Sequence, residues 1–116
     1  MKYLCLIYQD ASVIQSLPKA DLEKFRGEYL AFTDGIRKSG QHVGNHGLEP
    51  AKTATMVRVR NGKITTTDGP FAETKEQIGG YYMVEVRDRD EAIQIAAKIP
   101  SARFGSVEVR QVCGSL

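Results

Sequence analysis

The sequence predicts an α+β domain in which an antiparallel sheet carries two helices on one face. Three observations predict it. Leu22, Phe25, Tyr29, Phe32 and Ile36 recur at three- and four-residue spacing, and a shorter stretch from Ala92 to Ile99 repeats the pattern, so two helices each bury one stripe. Runs rich in β-branched and aromatic residues lie before, between and after these stretches. With 116 residues the chain has the length of one domain, residues 1–116, and folding buries roughly two-thirds of the surface its unfolded form exposes.

Residues 2–8 form the first strand. Tyr3, Cys5 and Ile7 point to one face and Leu4, Leu6 and Tyr8 to the other, so both faces need cover. Residues 18–39 form the first helix. Ser16 caps its start, Pro18 suits its first turn, and Gly40 ends it with Lys38 placed favourably for the helix dipole. Gly27 and Gly35 weaken this helix, which points to close packing there. Residues 40–52 hold three glycines, Pro50 and both histidines, and they read as a long loop of the kind that carries function on small domains. Residues 54–60 and 63–67 form a hairpin closed by Asn61-Gly62 in a type I′ turn, with Val57 and Val59 on one face and Met56, Arg58 and Arg60 on the other. Residues 68–77 are irregular, and Gly79-Gly80 leads into a strand at 81–87. The second helix, 89–98, starts from Asp88 with Glu91 three residues on, and Pro100 stops it. Its expected inner face is Ala92, Ile93, Ala96, Ala97 and Ile99. The last strand, 106–112, turns Val107 and Val109 inward.

The resulting order, β-α-β-β-(β)-α-β, is a ferredoxin-like sandwich with an added hairpin strand. Helices cover one sheet face. The two-sided apolarity of the first strand and of Tyr81 to Val86 leaves the other face for a second copy, so we expect a homodimer with its sheets facing each other in an α+β barrel.

Charged residues make up 26% of the chain and the net charge is only +2, with no basic stripe, which argues against a nucleic-acid partner. The apolar start, Met1 to Tyr8, is too short to span or target a membrane. Two cysteines, Cys5 and Cys113, without a signal peptide fit reduced thiols in a cytoplasm. Gly79-Gly80 alone is no nucleotide fingerprint, and no cofactor is called for.

The segment Asp68-Gly69-Pro70-Phe71-Ala72-Glu73-Thr74-Lys75-Glu76-Gln77-Ile78-Gly79-Gly80-Tyr81-Tyr82 resembles the signature of the DGPF branch of the YCII-related family. Met1-Lys2-Tyr3-Leu4, Val57-Arg58-Val59-Arg60, Ile99-Pro100-Ser101-Ala102-Arg103 and Val107-Glu108-Val109-Arg110 agree in register, so the resemblance covers essentially the whole chain. Gln111 stands where many relatives carry proline. The resemblance implies a dimeric α+β barrel, and in the broader group a His–Asp pair as active site, with one relative resembling a dehydrochlorinase of a hydroxylated aromatic. It also implies a bacterial setting and a functional link to extracytoplasmic-function sigma factors.

Two residues stand out for chemistry. His46 is the natural proton shuttle, and Asp68 is the carboxylate that fixes its tautomer or acts as acid–base itself. The competing readings are a histidine bonded to its own loop and an Asx-type turn at Asp68-Gly69. Around them, Gly69 would admit a ligand to the backbone, Pro70 would fix the loop, Phe71 and Tyr82 would wall an apolar pocket between helices and sheet, and Lys75 or Arg58 would neutralise an anion. A metal held by His42, His46 and Asp68 or Glu49 is the rival use, but Gly40, Gly44 and Gly47 speak against the helix that four-residue spacing needs. Cys5 has no neighbouring base and reads as a buried thiol. Two classes of function follow: a cofactor-independent lyase or isomerase acting on a small cyclic or aromatic molecule through His46 and Asp68, or a non-catalytic module that senses a ligand or binds a protein in sigma-factor stress control.

Overall fold

A computed structural model describes residues 1–116. Its elements are β1 (Lys2–Gln9), α1 (Ala11–Gln15), α2 (Lys19–Lys38), β2 (His42–Gly47), β3 (Thr55–Arg60), β4 (Lys63–Asp68), β5 (Gln77–Glu85), α3 (Arg89–Ala97) and β6 (Ser106–Gln111), with 3-10 turns at Ala51–Thr53 and Pro100–Arg103. Four strands form one antiparallel sheet in the order β2-β5-β1-β6, which is ferredoxin-like.

The structure corrects the expected loop at 40–52. His42–Gly47 is the edge strand β2, pairing His42 with Val84 and His46 with Tyr81, with an irregularity before Gly44. The nine-residue β5 would otherwise expose a row of unpaired N–H and C=O groups, and an edge strand tolerates glycine because only one of its sides is in the ladder. The β3–β4 hairpin is therefore no strand of the main sheet. It pairs only with itself, and its turn has the expected left-handed pair, Asn61 at φ 52° and Gly62 at φ 75°. This ribbon stretches the molecule to a radius of gyration of 16.1 Å, against about 13 Å for a compact chain of this length.

Three local readings also change. Asp10 caps a short α1 by accepting from the Ser12 N–H at 2.9 Å, and Ser16 closes that helix while α2 starts after Pro18 without a side-chain cap. A Cβ at Gly27 or Gly35 would meet nothing within 4 Å, so close packing does not explain these glycines. Ile95 takes the inner position on α3, while Ile93 and Ala97 are exposed. Asp88 does cap α3, accepting from the Glu91 N–H at 2.9 Å.

The core lies between sheet and helices. Tyr3, Cys5 and Ile7 of β1 and Tyr82 and Val84 of β5 meet Ile36 of α2 and Ala92, Ile95 and Ala96 of α3, with Ile99 fully buried beneath them. Each large apolar side chain buried there contributes roughly 1.5–3 kcal/mol. The opposite sheet face is only partly covered: Leu4, Leu6, Tyr8, Tyr81 and Met83 remain half-buried and Ile78 is exposed. The accessible surface is 8226 Å², against about 6300 Å² for a compact monomer of this mass.

Candidate functional site

β2 and β5 place His46 beside Tyr81 on the open face of the sheet, the face that Leu6 shares through its pairing with Tyr81. His46 Nδ1 lies 2.8 Å from the Tyr81 hydroxyl, with the ring centroids 5.8 Å apart. Nε2 makes no hydrogen bond within the protein, and the side chain is exposed. An imidazole held at one nitrogen and open at the other is suited to proton transfer, because the Tyr81 hydroxyl can accept from Nδ1–H or donate to bare Nδ1 and so match either state of the ring.

His42 points to the other face. It pairs with the buried Val84, and its Nε2 lies 2.6 Å from Asn45 Oδ1. The sheet thus separates the two imidazoles, and no three His, Cys, Asp or Glu side chains converge on a common point.

Asp68 ends β4 opposite Thr55 at the base of the ribbon. Its carboxylate makes no hydrogen bond and no ion pair. The ribbon is closed there by the backbone instead, Gly69 N–H donating to Ala54 O at 2.7 Å. Gly69 has φ 104°, a conformation that side chains resist. Pro70 is half-buried and Phe71 is 80% exposed. Arg58 is half-buried on the ribbon without an ion-pair partner. Lys75 is exposed and borders a cleft of about 490 Å³ together with Asp10. No hydrogen bond joins His46 to Asp68, and Tyr82 lies on the helix side of the sheet, across from the Tyr81 side chain that His46 contacts. There its hydroxyl lies 2.6 Å from Thr33 Oγ1.

The matching family model is that of the YCII-related domain, over residues 1–114. This chain belongs to the YCII-related family. An uncharacterized protein of Rhizobium meliloti (strain 1021) is 34% identical to it over 112 residues, which is 95% of this chain and 90% of that protein.

The residue-level reading of this YCII-related chain misses Tyr81 as the partner of His46, because their contact exists only once 42–47 is a strand. A cleft does lie between helices and sheet, with Tyr82 but not Phe71 in its wall. On the helix side, α1, α2, β2 and β5 enclose this cleft of about 830 Å³. At its wall Tyr29 Oη donates to Ser101 Oγ at 2.6 Å, and Ser101 Oγ donates to Gln9 Oε1 at 2.9 Å. Burial pushes the Tyr29 and Tyr82 phenols above their ordinary range, with the hydrogen bonds they share with Ser101 and Thr33 partly offsetting it, so both stay protonated near neutral pH.

Proposed function

We propose that this YCII-related protein is a cofactor-independent lyase or isomerase that moves a proton on a small cyclic or aromatic molecule, with His46 as the acid–base group. The observation that carries this reading is the His46–Tyr81 hydrogen bond of 2.8 Å on the open sheet face, which orients the ring and leaves Nε2 directed away from any protein partner. Tyr81 is the positioning residue. Asp68, whose carboxylate is unengaged, is the second acid–base group, and Gly69, Pro70 and Phe71 belong to the same site. The Asp68-to-Phe71 signature supports placing the chain in the DGPF branch. The half-buried Leu6 and Met83 and the surface excess support a homodimer formed through this open face, with substrate held between the subunits. Free Cys5 and Cys113 support a reducing cytoplasm.

A second reading rests on the ribbon. Val57, Val59 and Ile64 share one face and are 59%, 58% and 74% exposed, which favours a protein-binding module of the kind that sigma-factor control would use.

A screen of hydroxylated haloaromatics and cyclic anions for halide release or ultraviolet change tests the first reading. His46→Gln lowers turnover at least about a hundredfold and Tyr81→Phe about tenfold. A Tyr81→Phe protein also shifts the His46 Nδ1 resonance in long-range nitrogen–proton NMR spectra. His46→Gln turning over substrate as fast as wild type removes the acid–base role. Partner capture abolished by Val57→Asp with Val59→Asp favours the binding module instead.

A further inference from the structure

The helix-side cleft has a chemistry of its own, distinct from the His46–Tyr81 pair. No aspartate, glutamate or lysine lines it; Arg26 does, and His46 borders it from the β2 edge. Arg26 makes no ion pair and no side-chain hydrogen bond. The hydroxyls of Tyr29, Thr33, Tyr82 and Ser101 in its wall are already hydrogen-bonded within the protein. Two side-chain amides also line it, and in each the oxygen is already used. Gln9 Oε1 accepts from Ser101, whose own oxygen accepts from Tyr29. Asn45 Oδ1 is engaged by His42 Nε2 at 2.6 Å. The NH2 groups of both amides have no partner in the protein, so what the two amides offer the cleft is donors.

The backbone makes room for this arrangement. The β1–β5 register shifts between Ile7 and Tyr8, a bulge that passes over Gly79. A Cβ on Gly79 would stand 2.6 Å from Gln9 Nε2, so the missing side chain is what lets the Gln9 amide lie against β5. The remaining wall is apolar and aromatic, formed by Ile14, Leu22, Phe25, Tyr29 and Leu30.

We propose that this cleft binds a small carboxylate with an apolar body, its oxygens taken by the Gln9 and Asn45 amides and the Arg26 guanidinium, its body against the aromatic wall. Unpartnered amide donors beside one unpaired cation, with no carboxylate in the lining, select an anionic acceptor over an amine of the same shape. About 830 Å³ is ample for a single aromatic ring or a six-carbon chain.

The test is a titration of the full ¹⁵N-labelled chain, at constant ionic strength, with benzoate, hexanoate, benzyl alcohol and hexylamine. The two acids shift the amides of Gly79 and Gly80 and the Gln9 side-chain NH2, and bind at least about tenfold tighter than the alcohol. The amine gives no shift at these positions. Gln9→Glu keeps an oxygen for Ser101 and replaces the donor with a charge, and it weakens acid binding roughly tenfold to a hundredfold. Arg26→Gln, at an exposed position, weakens it about tenfold and provides the same reading if Gln9→Glu fails to fold. Acids that bind no tighter than the alcohol, affinity unchanged in Arg26→Gln, or shifts confined to the Leu4, Leu6 and Met83 face would each overturn the proposal. Because Gln9 and Arg26 take no part in the acid–base reading of His46, such a failure leaves that reading standing, and loss of that reading leaves this one.

Discussion

Ser101→Ala tests the polar relay that aims Gln9 into the helix-side cleft. Ser101 is fully buried and its hydroxyl bridges Tyr29 at 2.6 Å and Gln9 at 2.9 Å, joining α2, the 3-10 turn after α3 and the end of β1. Alanine keeps the Cβ, so the cavity left is about one oxygen atom and the cost comes from the two hydrogen bonds. At about 1 kcal/mol net for each bond, the variant loses about 2 kcal/mol. For a chain of 116 residues that lowers the melting temperature by about 8 °C. Tyr29→Phe removes one of the same two bonds and costs about 1 kcal/mol. The double variant then costs about 2 kcal/mol and not 3, a coupling of about 1 kcal/mol. Urea denaturation with an unchanged slope measures all three differences. A Ser101→Ala cost below about 0.5 kcal/mol, or strict additivity with Tyr29→Phe, refutes the bridge.

Two further outcomes follow from the same structure. Burial pushes the Cys5 thiol from an ordinary 9.0 up to about 11. The neutral thiol is therefore favoured in the folded state, and the stability it brings is fully present below pH 9 and is lost as pH rises toward 11, where the unfolded chain has already released its proton. Cys5→Ala flattens the stability-versus-pH curve in that window, and a thiol reagent at pH 8 labels Cys113 alone in the native protein; equal labelling of both cysteines contradicts the burial. Light scattering gives a mass of two chains for wild type, and Leu6→Lys, on the open sheet face, shifts it to one chain with the fold retained; a monomeric wild type removes the homodimer.

Much of the fold is written in local pattern. The stripe from Leu22 to Ile36 gives α2, the alternation of β1 gives a two-faced strand, Asn61-Gly62 gives the ribbon turn, and Asp88 gives the α3 cap, because each depends on neighbours within a few residues. β2 is not written there. Its sequence, His-Val-Gly-Asn-His-Gly, has the composition of a loop, and it becomes a strand because β5, more than thirty residues away, has an edge to satisfy. Short α1 escapes for another reason, since five residues are too few to show a helical period. The site inherits both gaps. Residue type alone points to His46, but Tyr81 enters only through the β2–β5 register. At Asp68 local pattern favours a turn, whereas the structure leaves the carboxylate free and lets backbone close the ribbon.

The glycine pair Gly79-Gly80 ties the two sheet faces together. Gly79 makes room for the Gln9 amide, a flexible tip that can move aside at small cost. Gly80 is different in kind. A Cβ there would stand 2.9 Å from the His46 carbonyl oxygen and 3.3 Å from Gly47 Cα, and backbone does not rotate away. Any side chain at Gly80 must therefore push β2 off β5 over the stretch that carries both Asn45 and His46. Asn45 faces the helix-side cleft and His46 the open face, because neighbours in a strand point opposite ways. Two glycines that form no nucleotide fingerprint in the sequence thus set how closely the edge strand docks, and with it the position of the polar groups on each side of the sheet.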